Sequence, residues 1–195
     1  MTAERSIALD HPDALYIGGQ WVPPSSPGHF DVLDCSTEQV VASVARAESD
    51  DAARAVAAAR EAFDKGPWPR LSPQERGVWL DKLAAQLEAL NDEFARIWSL
   101  ESGIVYKVAR PRLGLFIGAA FRQYAALANT FPFTEPRKAV TGHQAYSVRE
   151  PVGVVLAIVP WNGPAGLLAY KVAPALLAGC PVIIKCSPEA PCSGY

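Results

Sequence analysis

The sequence predicts an α/β fold in which short strands and four helices lead into a parallel sheet. Two apolar, β-branched runs, residues 152–159 and 181–185, have the pattern of strands that are buried on both faces. A helical segment that starts at Pro164 lies between them and ends before Gly179. Strand, helix and strand within about 35 residues form a βαβ unit, in which the strands are parallel and the crossover is right-handed.

The composition excludes several classes of function. Half of the 195 residues are hydrophobic and 19% are charged, which is typical of a folded globular protein. The formal net charge of −2 leaves no basic surface of the kind that binds nucleic acid. Residues 152–161 are the longest apolar stretch and are too few for a membrane helix, which needs about 20. Residues 1–15 lack the apolar core of a secretory signal, so we expect a cytoplasmic protein with no membrane span.

The predicted strands near the start of the chain are short. Residues 15–17 and 20–22 predict two strands about Gly18 and Gly19, because consecutive glycines tolerate the positive φ of a tight hairpin. Residues 30–33 and 40–44 are further strand candidates, separated by polar residues.

Two helices with clear start signals follow. Ser49 is the predicted N-cap of an alanine-rich helix that runs to Lys65. Ser72, Pro73 and Glu75 have the capping-box pattern and start the second helix. The predicted apolar stripe of that helix consists of Trp79, Leu80, Leu83, Leu87 and Leu90.

Two more helices complete the region up to residue 132. Residues 91–102 predict a third helix, closed by Gly103, with Phe94, Ile97 and Trp98 turned inward. Residues 113–131 predict a fourth, more apolar helix.

A hairpin separates the helical region from the parallel sheet. Residues 140–149 alternate about Gly142 and predict a pair of strands. The chain is therefore divided into residues 1–132, an excursion over residues 133–151, and the βαβ unit over residues 152–195. Such excursions often serve subunit contact, and we expect this one to mediate oligomerisation.

Polar residues follow both strands of the βαβ unit. Asn162 and Lys185 lie just past the carboxyl ends of their strands, so both project onto the same edge of the sheet. Ligands bind at that edge in open parallel α/β sheets. An asparagine also stabilises a strand-to-helix turn, and a lysine at a strand end is commonly a solvated charge. From the residues alone, both interpretations of each side chain stay open.

The four cysteines, Cys35, Cys180, Cys186 and Cys192, are predicted to be free thiols, because the chain shows no export signal. The six-residue spacing of the last three matches no zinc pattern, so no metal site is expected. No histidine is close in sequence to activate a thiolate, and a catalytic role is not expected for any of the four.

Several segments together resemble the NAD(P)-dependent aldehyde dehydrogenase superfamily, in order and in register. They are residues 150–155 (EPVGVV), 158–164 (IVPWNGP), 174–180 (PALLAGC) and 182–185 (VIIK), with 16–22 (YIGGQWV), 57–63 (AAAREAF) and 100–103 (LESG) upstream. The resemblance covers nearly the whole chain. It implies the Rossmann-like cofactor-binding sheet of that family, truncated so that the catalytic domain is absent.

The resemblance also implies roles for particular residues. Asn162 matches the asparagine whose side-chain NH₂ stabilises the oxyanion formed from the aldehyde. Such a donor lowers the activation free energy by roughly 3–4 kcal/mol. Lys185 matches the lysine that contacts the adenosine ribose of NAD or the 2′-phosphate of NADP. Lys171 matches a lysine linked to proton relay, although a helical lysine is ordinarily a surface charge. The implied cofactor contacts are Ile158, Val159, Pro160, Trp161, Asn162, Lys185, Ser187 and Glu189.

Two positions depart from the family pattern. Gly163 stands where phenylalanine is usual, which removes an aromatic wall. Glu189 follows Lys185 by four residues, whereas the acidic residue follows by three in many NAD-preferring members. A carboxylate beside the ribose favours NAD because it repels a 2′-phosphate, so its displacement leaves the choice between NAD and NADP open, with NAD still slightly preferred.

The implied activity is oxidation of a small-molecule aldehyde to a carboxylic acid, through a thioester on a cysteine downstream of this chain, in a homodimer or homotetramer. The nucleophile, the general-base glutamate and the pyrophosphate-binding turn have no candidate here, so the isolated chain is expected to be inactive. Two alternatives are an acylating relative that releases an acyl-CoA, and a truncated fragment that acts only as a binding or oligomerisation module. Four side chains either line the aldehyde passage or pack in the core: Leu113, Phe116, Ile117 and Phe121.

Overall fold

The computed structural model describes residues 6–195, except for the side chains of residues 114–116. The described residues form eight strands, β1 to β8, and five α-helices, α1 to α5. In chain order, the strands are Leu15–Ile17, Gln20–Val22, His29–Leu33, Val40–Ala45, Thr134–Lys138, Gln144–Val148, Val155–Ile158 and Val182–Lys185. The helices are Ser49–Lys65, Pro73–Ala89, Asn91–Ser102, Tyr106–Leu127 and Pro164–Ala178. The predicted α/β class is confirmed.

The strands pair two by two in chain order. The pairs β1–β2, β3–β4 and β5–β6 are antiparallel, whereas β7 and β8 are parallel and are joined through α5. Gly18 and Gly19 have φ angles of 63° and 83°, and Gly142 has 84° in the turn before β6. The glycine turns predicted from the sequence are therefore confirmed.

The main core lies between α2, α4 and α5. Leu80 on α2 and Phe121 on α4 are each 1% exposed, and Ala169 on α5 is fully buried. Gly77 permits close contact of α2 with the end of α4, because a Cβ at this position would lie 2.7 Å from the Cβ of Ala128. Small residues at these contacts bring the helices close together and allow α5 to cover one face of β7 and β8.

The fourth helix contributes apolar side chains to this core. Leu113, Ile117 and Phe121 are at most 4% exposed and pack against the other helices, which supports core packing over a role in an open passage. The side chain of Phe116 lies outside the described residues. None of the helices formed by residues 6–195 is long and apolar enough to cross a membrane.

The bounds of α4 differ from the prediction of residues 113–131. The helix begins at Tyr106 and ends at Leu127, and it includes Pro111. Proline in this position removes the hydrogen bond to the carbonyl of Lys107. Ala109 is fully buried, and its packing against the core stabilises the helix where this hydrogen bond is missing.

Two further local predictions are wrong. The N-cap of α1 is Glu48, not Ser49, because the Glu48 N–H donates to Asp51 in a capping box. On α2, Leu80 faces the core as predicted, but Trp79 and Leu90 are 54% and 45% exposed, since the core-facing stripe is narrower than the apolar pattern.

The two parallel strands are shorter and more exposed than predicted. β7 spans Val155–Ile158 instead of residues 152–159, because Gly153 has a φ of 128° and leaves the extended conformation. Ala157 is 2% exposed, whereas Leu156 and Ile158 are 55% and 57% exposed. The prediction that both faces are buried is therefore wrong: within the described residues, one face of the pair is largely uncovered.

The β5–β6 hairpin spans Thr134–Lys138 and Gln144–Val148. The predicted pair of strands is present, but its first strand lies before the predicted residues 140–149, because the sequence TEPRK has no alternating apolar pattern and contains Pro136, which is tolerated at a sheet edge. Tyr146 and Val148 are 59% and 58% exposed. A role of residues 133–151 in oligomerisation stays a prediction.

A buried carboxylate fixes the start of α1. Asp51 is 1% exposed and accepts hydrogen bonds from the N–H and hydroxyl of Ser25, from the N–H of Glu48 and from Arg54. Burial by itself raises the pKa of Asp51, but the hydrogen bonds from Glu48, Arg54 and Ser25 outweigh it and lower the pKa from 3.8 to about 2. Asp51 thus connects α1 to the loop after β2.

We expect Asp51→Ala to lower the free energy of unfolding by about 1–3 kcal/mol, because two partly buried N–H groups lose their acceptor. The folded-state pKa is below the ordinary value, so the stabilisation is present above pH 3.8 and is lost as the pH falls towards 2. Urea unfolding across this pH range measures both effects. Asp50→Ala, at the exposed neighbouring position, is the matched control, and equal losses in the two variants would contradict the prediction.

The end of α5 is held by two side chains from outside the helix. The Arg76 guanidinium, on α2, is buried and donates to the carbonyl of Leu177 at 2.8 Å and to that of Leu71. The indole N–H of Trp68 donates to the carbonyl of Leu176 at 3.1 Å. Gly179 follows with a φ of 96°, as the predicted left-handed cap.

Candidate functional site

The two parallel strands end together at one edge of the sheet. Ile158 pairs with Lys185 at the last register position, and the N–H of Val159 donates to the carbonyl of Lys185 at 2.9 Å. The segments that follow, Pro160–Asn162 after β7 and residues 186–189 after β8, therefore leave the sheet side by side. This is the placement that the βαβ pattern predicts.

A cleft of about 560 Å³ lies at this edge. The sequence analysis names nine candidate site residues, the eight implied cofactor contacts and Lys171. Eight of the nine line this cleft, and Asn162 does not. The lining comprises Ile158, Val159, Pro160, Trp161, Lys171, Lys185, Ser187, Pro188 and Glu189. We refer to this space below as the cleft. Its Trp161 wall consists of residues 158–161 on the β7 side, and its 185–189 wall consists of residues 185–189 on the β8 side.

The charged groups of the cleft lie on the 185–189 wall and on α5. Lys185 donates to the carbonyl of Cys186 at 3.4 Å, and Lys171 is exposed on α5. A hydrogen bond from the Ser187 hydroxyl, together with the nearby Lys185, lowers the pKa of Glu189. Glu189 is therefore an ionised acceptor at neutral pH and lines the same cleft as Lys185, although it comes one residue later than in the family pattern.

The turn after β7 is fastened to α3 through backbone atoms. The Trp98 indole N–H donates to the carbonyl of Asn162 at 3.2 Å, and the Ser102 hydroxyl donates to the carbonyl of Trp161 at 2.6 Å. The Asn162 side chain is exposed, and no described residue hydrogen-bonds its amide. Its NH₂ group is thus free to meet a ligand, while α3 holds its backbone in place.

Gly163 gives the start of α5 an open surface. Its φ of −169° is extended backbone that any residue adopts. A Cβ here would lie 3.7 Å from Leu167 and 3.8 Å from Trp98, which is ordinary van der Waals contact. The fold therefore does not require glycine at this position, and the absence of a side chain leaves space beside Asn162.

Two of the four free cysteines, Cys186 and Cys192, lie in the segment that follows β8. Burial raises the pKa of Cys186 to about 11 and raises that of Cys192 further, and the nearby Glu101 adds to both shifts. Both thiols are therefore protonated at neutral pH and are poor nucleophiles. Among residues 6–195, no cluster of three or more His, Cys, Asp or Glu side chains could hold a metal ion.

The sequence did not identify Trp98 and Ser102 as part of the site. Trp98 is buried, as predicted. A buried indole N–H usually needs an acceptor, and this requirement is the only feature of the sequence that indicates a polar contact for Trp98. Its acceptor is 64 residues away in sequence. No local pattern indicates such a partner.

Comparison with known proteins gives consistent results. The model of the aldehyde dehydrogenase family matches residues 21–195. Aldehyde dehydrogenase 1 of Tanacetum cinerariifolium is 43% identical over 97% of this chain and 38% of that protein. Geranial dehydrogenase of Castellaniella defragrans is 40% identical over 92% of this chain and 37% of that protein.

Solved structures match equally well. An aldehyde dehydrogenase of Mycobacterium tuberculosis, complexed with NAD+, has a TM-score of 0.87 and 38% identity, over 92% of this chain and 37% of that one. Betaine aldehyde dehydrogenase of Staphylococcus aureus, in complex with NAD+, has a TM-score of 0.90 and 29% identity, over 95% of this chain and 37% of that one. The chain thus spans 37–38% of the length of these four proteins.

Proposed function

The chain belongs to the aldehyde dehydrogenase family, and on that basis we propose that it is the N-terminal, cofactor-binding portion of an NAD(P)-dependent enzyme that oxidises an aldehyde to a carboxylic acid. The observation that carries the proposal is the cleft. Side chains from two strand ends and one helix, separated by up to 31 residues in sequence, line one space of about 560 Å³ at the ligand-binding edge of a parallel sheet.

The residues of the cleft fit a dinucleotide. The strand end at Ile158, Val159 and Pro160 offers an apolar wall, and Lys185 and Glu189 supply one donor and one ionised acceptor for ribose hydroxyls. When bound, NAD supplies the acceptor for the hydride that leaves the aldehyde carbon. Because the ionised Glu189 repels a 2′-phosphate, NAD is the preferred cofactor and NADP the weaker one.

Asn162 is the proposed oxyanion donor. Its amide has no partner among the described residues, and its backbone is held by Trp98. An NH₂ group held in this way donates to the aldehyde oxygen as negative charge develops on it, with little reorganisation. Lys171, exposed on α5 and lining the cleft, is the proposed proton-relay residue. Subunit contact through residues 133–151, in a homodimer or homotetramer, completes the proposal.

The test is an assay of the full-length protein that carries this chain. We expect reduction of NAD+ in the presence of simple aldehydes, with a higher kcat/KM for NAD+ than for NADP+, and no turnover by the isolated 195-residue chain. Reduced nicotinamide is followed by its absorbance, and the carboxylic acid by chromatography. A folded full-length protein that neither binds nor reduces either dinucleotide would contradict the proposal and would favour a binding or oligomerisation module.

A further inference from the structure

The last turn of α3 reaches both walls of the cleft. On one side, Ser102 donates to the backbone carbonyl of Trp161, and Trp98 donates to that of Asn162, the next residue. On the other side, the Glu101 Oε1 atom accepts the N–H of Cys192 at 2.7 Å. Cys192 ends the loop that begins with the 185–189 wall. One helical turn therefore connects the two segments that enclose the cleft.

The end of the loop over residues 186–191 is buried, but the loop makes few other hydrogen bonds. Ala190 donates its N–H to the carbonyl of Ser187, and the Ser187 hydroxyl donates to Glu189. These bonds join neighbours within the loop. Within the described chain, the bond from Cys192 to Glu101, 91 residues away, is the hydrogen bond that ties the far end of this loop to a helix.

Glu101 occupies an environment that is unfavourable for a carboxyl group. It is 6% exposed, and its Oε2 atom has no hydrogen-bond partner among the described residues. Burial raises the pKa of Glu101 to about 7, an effect that hydrogen bonds from Cys192 partly offset. Buried polar groups without a full set of partners are uncommon in folded proteins. Because burial of this carboxyl group is unfavourable, the hydrogen bond that it accepts from the Cys192 N–H is expected to have a role.

We propose that Glu101 is a positioning residue that holds the 185–189 wall at the correct distance from the Trp161 wall, and thereby sets the affinity for the dinucleotide. The inference rests on the proposed cofactor-binding function. Glu101 acts through the backbone of Cys192, so it does not touch the aldehyde or the cofactor. Its loss should change cofactor binding and leave the chemical step almost unchanged.

Three variants of the full-length protein test this role. Glu101→Leu removes the acceptor. We expect the Kd for NAD+ to rise about tenfold and hydrogen exchange at the Cys192 N–H to become about tenfold faster or more, the size expected for one hydrogen bond. Glu101→Gln keeps a carbonyl acceptor and should restore both values to within about twofold. Glu101→Asp has a side chain shorter by one methylene group, so the acceptor lies farther from the Cys192 N–H. The Kd for NAD+ and the exchange rate should each rise by about threefold. In all three, kcat stays within about twofold while KM for NAD+ follows Kd.

Glu93→Gln, at an exposed position on the same helix, is the matched control and should change neither quantity. Calorimetry gives Kd, and mass spectrometry gives the exchange rates. A loss of kcat at unchanged KM, or equal impairment in the leucine and glutamine variants, would overturn the proposal. If the leucine variant does not fold, the aspartate variant decides: wild-type binding and exchange would overturn it. If the wild type binds no dinucleotide, the proposed function fails, whereas the exchange contrast at Cys192 still tests the connection.

Discussion

Replacement of Asn162 by alanine in the full-length protein is expected to lower kcat by about 10²–10³-fold, the effect of removing one preorganised donor to an oxyanion. The Asn162 amide has no partner among the described residues, so the variant loses no hydrogen bond within this chain. The turn itself should persist, because Trp98 and Ser102 bind backbone carbonyls that alanine retains. The predicted loss therefore belongs to the reaction and not to folding.

Two further variants sharpen this test. Asn162→Asp has nearly the same shape but replaces the donor with an acceptor, so its kcat should fall at least as far as that of the alanine variant. Asn129→Ala, at an exposed position after α4, should have wild-type kcat. Steady-state kinetics with a simple aldehyde gives kcat and KM, and calorimetry with NAD+ gives Kd. If Asn162→Ala keeps kcat within threefold, the Asn162 amide is not the oxyanion donor.

Local signals in the sequence predicted those parts of the fold whose causes are local. The Ser72 and Glu75 capping box forms as expected, with the Glu75 N–H donating to the Ser72 hydroxyl and the Ser72 N–H to the Glu75 carboxylate. Gly103 and Gly179 take left-handed conformations at the ends of α3 and α5. In each case a residue and its partner lie within a few positions of one another, so the pattern contains the whole interaction.

The βαβ unit was predictable for a similar reason. Buried strands and an intervening helix determine that β7 and β8 are parallel, and parallel strands bring their carboxyl ends to one edge. That argument places Asn162 and Lys185, the residues that follow the two strands, at a common edge without any knowledge of contacts, whereas Lys171 and Glu189 were expected there from the family resemblance. It does not place side chains, and Asn162 accordingly lies at the edge of the sheet without lining the cleft.

The residues that the sequence did not predict correctly are those whose partners are distant. The local pattern around Asp51 indicates only the start of a helix, yet the side chain is buried and accepts hydrogen bonds from Ser25, 26 residues earlier. Glu101 appeared only as part of a family motif, and its partner Cys192 is 91 residues later. A buried polar side chain is determined by tertiary packing, which periodicity and capping rules do not contain.

The same limit applies to Arg76, which no local pattern marks as a buried residue and for which we expect the largest loss of stability. Arg76→Met should lower the free energy of unfolding by about 2–4 kcal/mol, because the carbonyls of Leu177 and Leu71 lose charged donors in a buried position. Burial lowers the pKa of Arg76, and relief of this desolvation in the variant keeps the loss below the sum of two charged hydrogen bonds. For a domain of this size, the corresponding fall in Tm is roughly 5–15 °C.

A local measurement separates this effect from general destabilisation. The N–H groups of Gly179 and Cys180 donate to the carbonyls of Leu176 and Ala175 at the end of α5, and their hydrogen exchange should accelerate in Arg76→Met before that of the other helices. Arg76→Lys keeps the charge but cannot span both carbonyls in the same geometry, so its Tm should lie between those of the wild type and Arg76→Met. Arg112→Met, at an exposed position on α4, should have the wild-type Tm. An Arg76→Met protein with wild-type Tm and exchange would show that the end of α5 is held by Trp68 and packing alone.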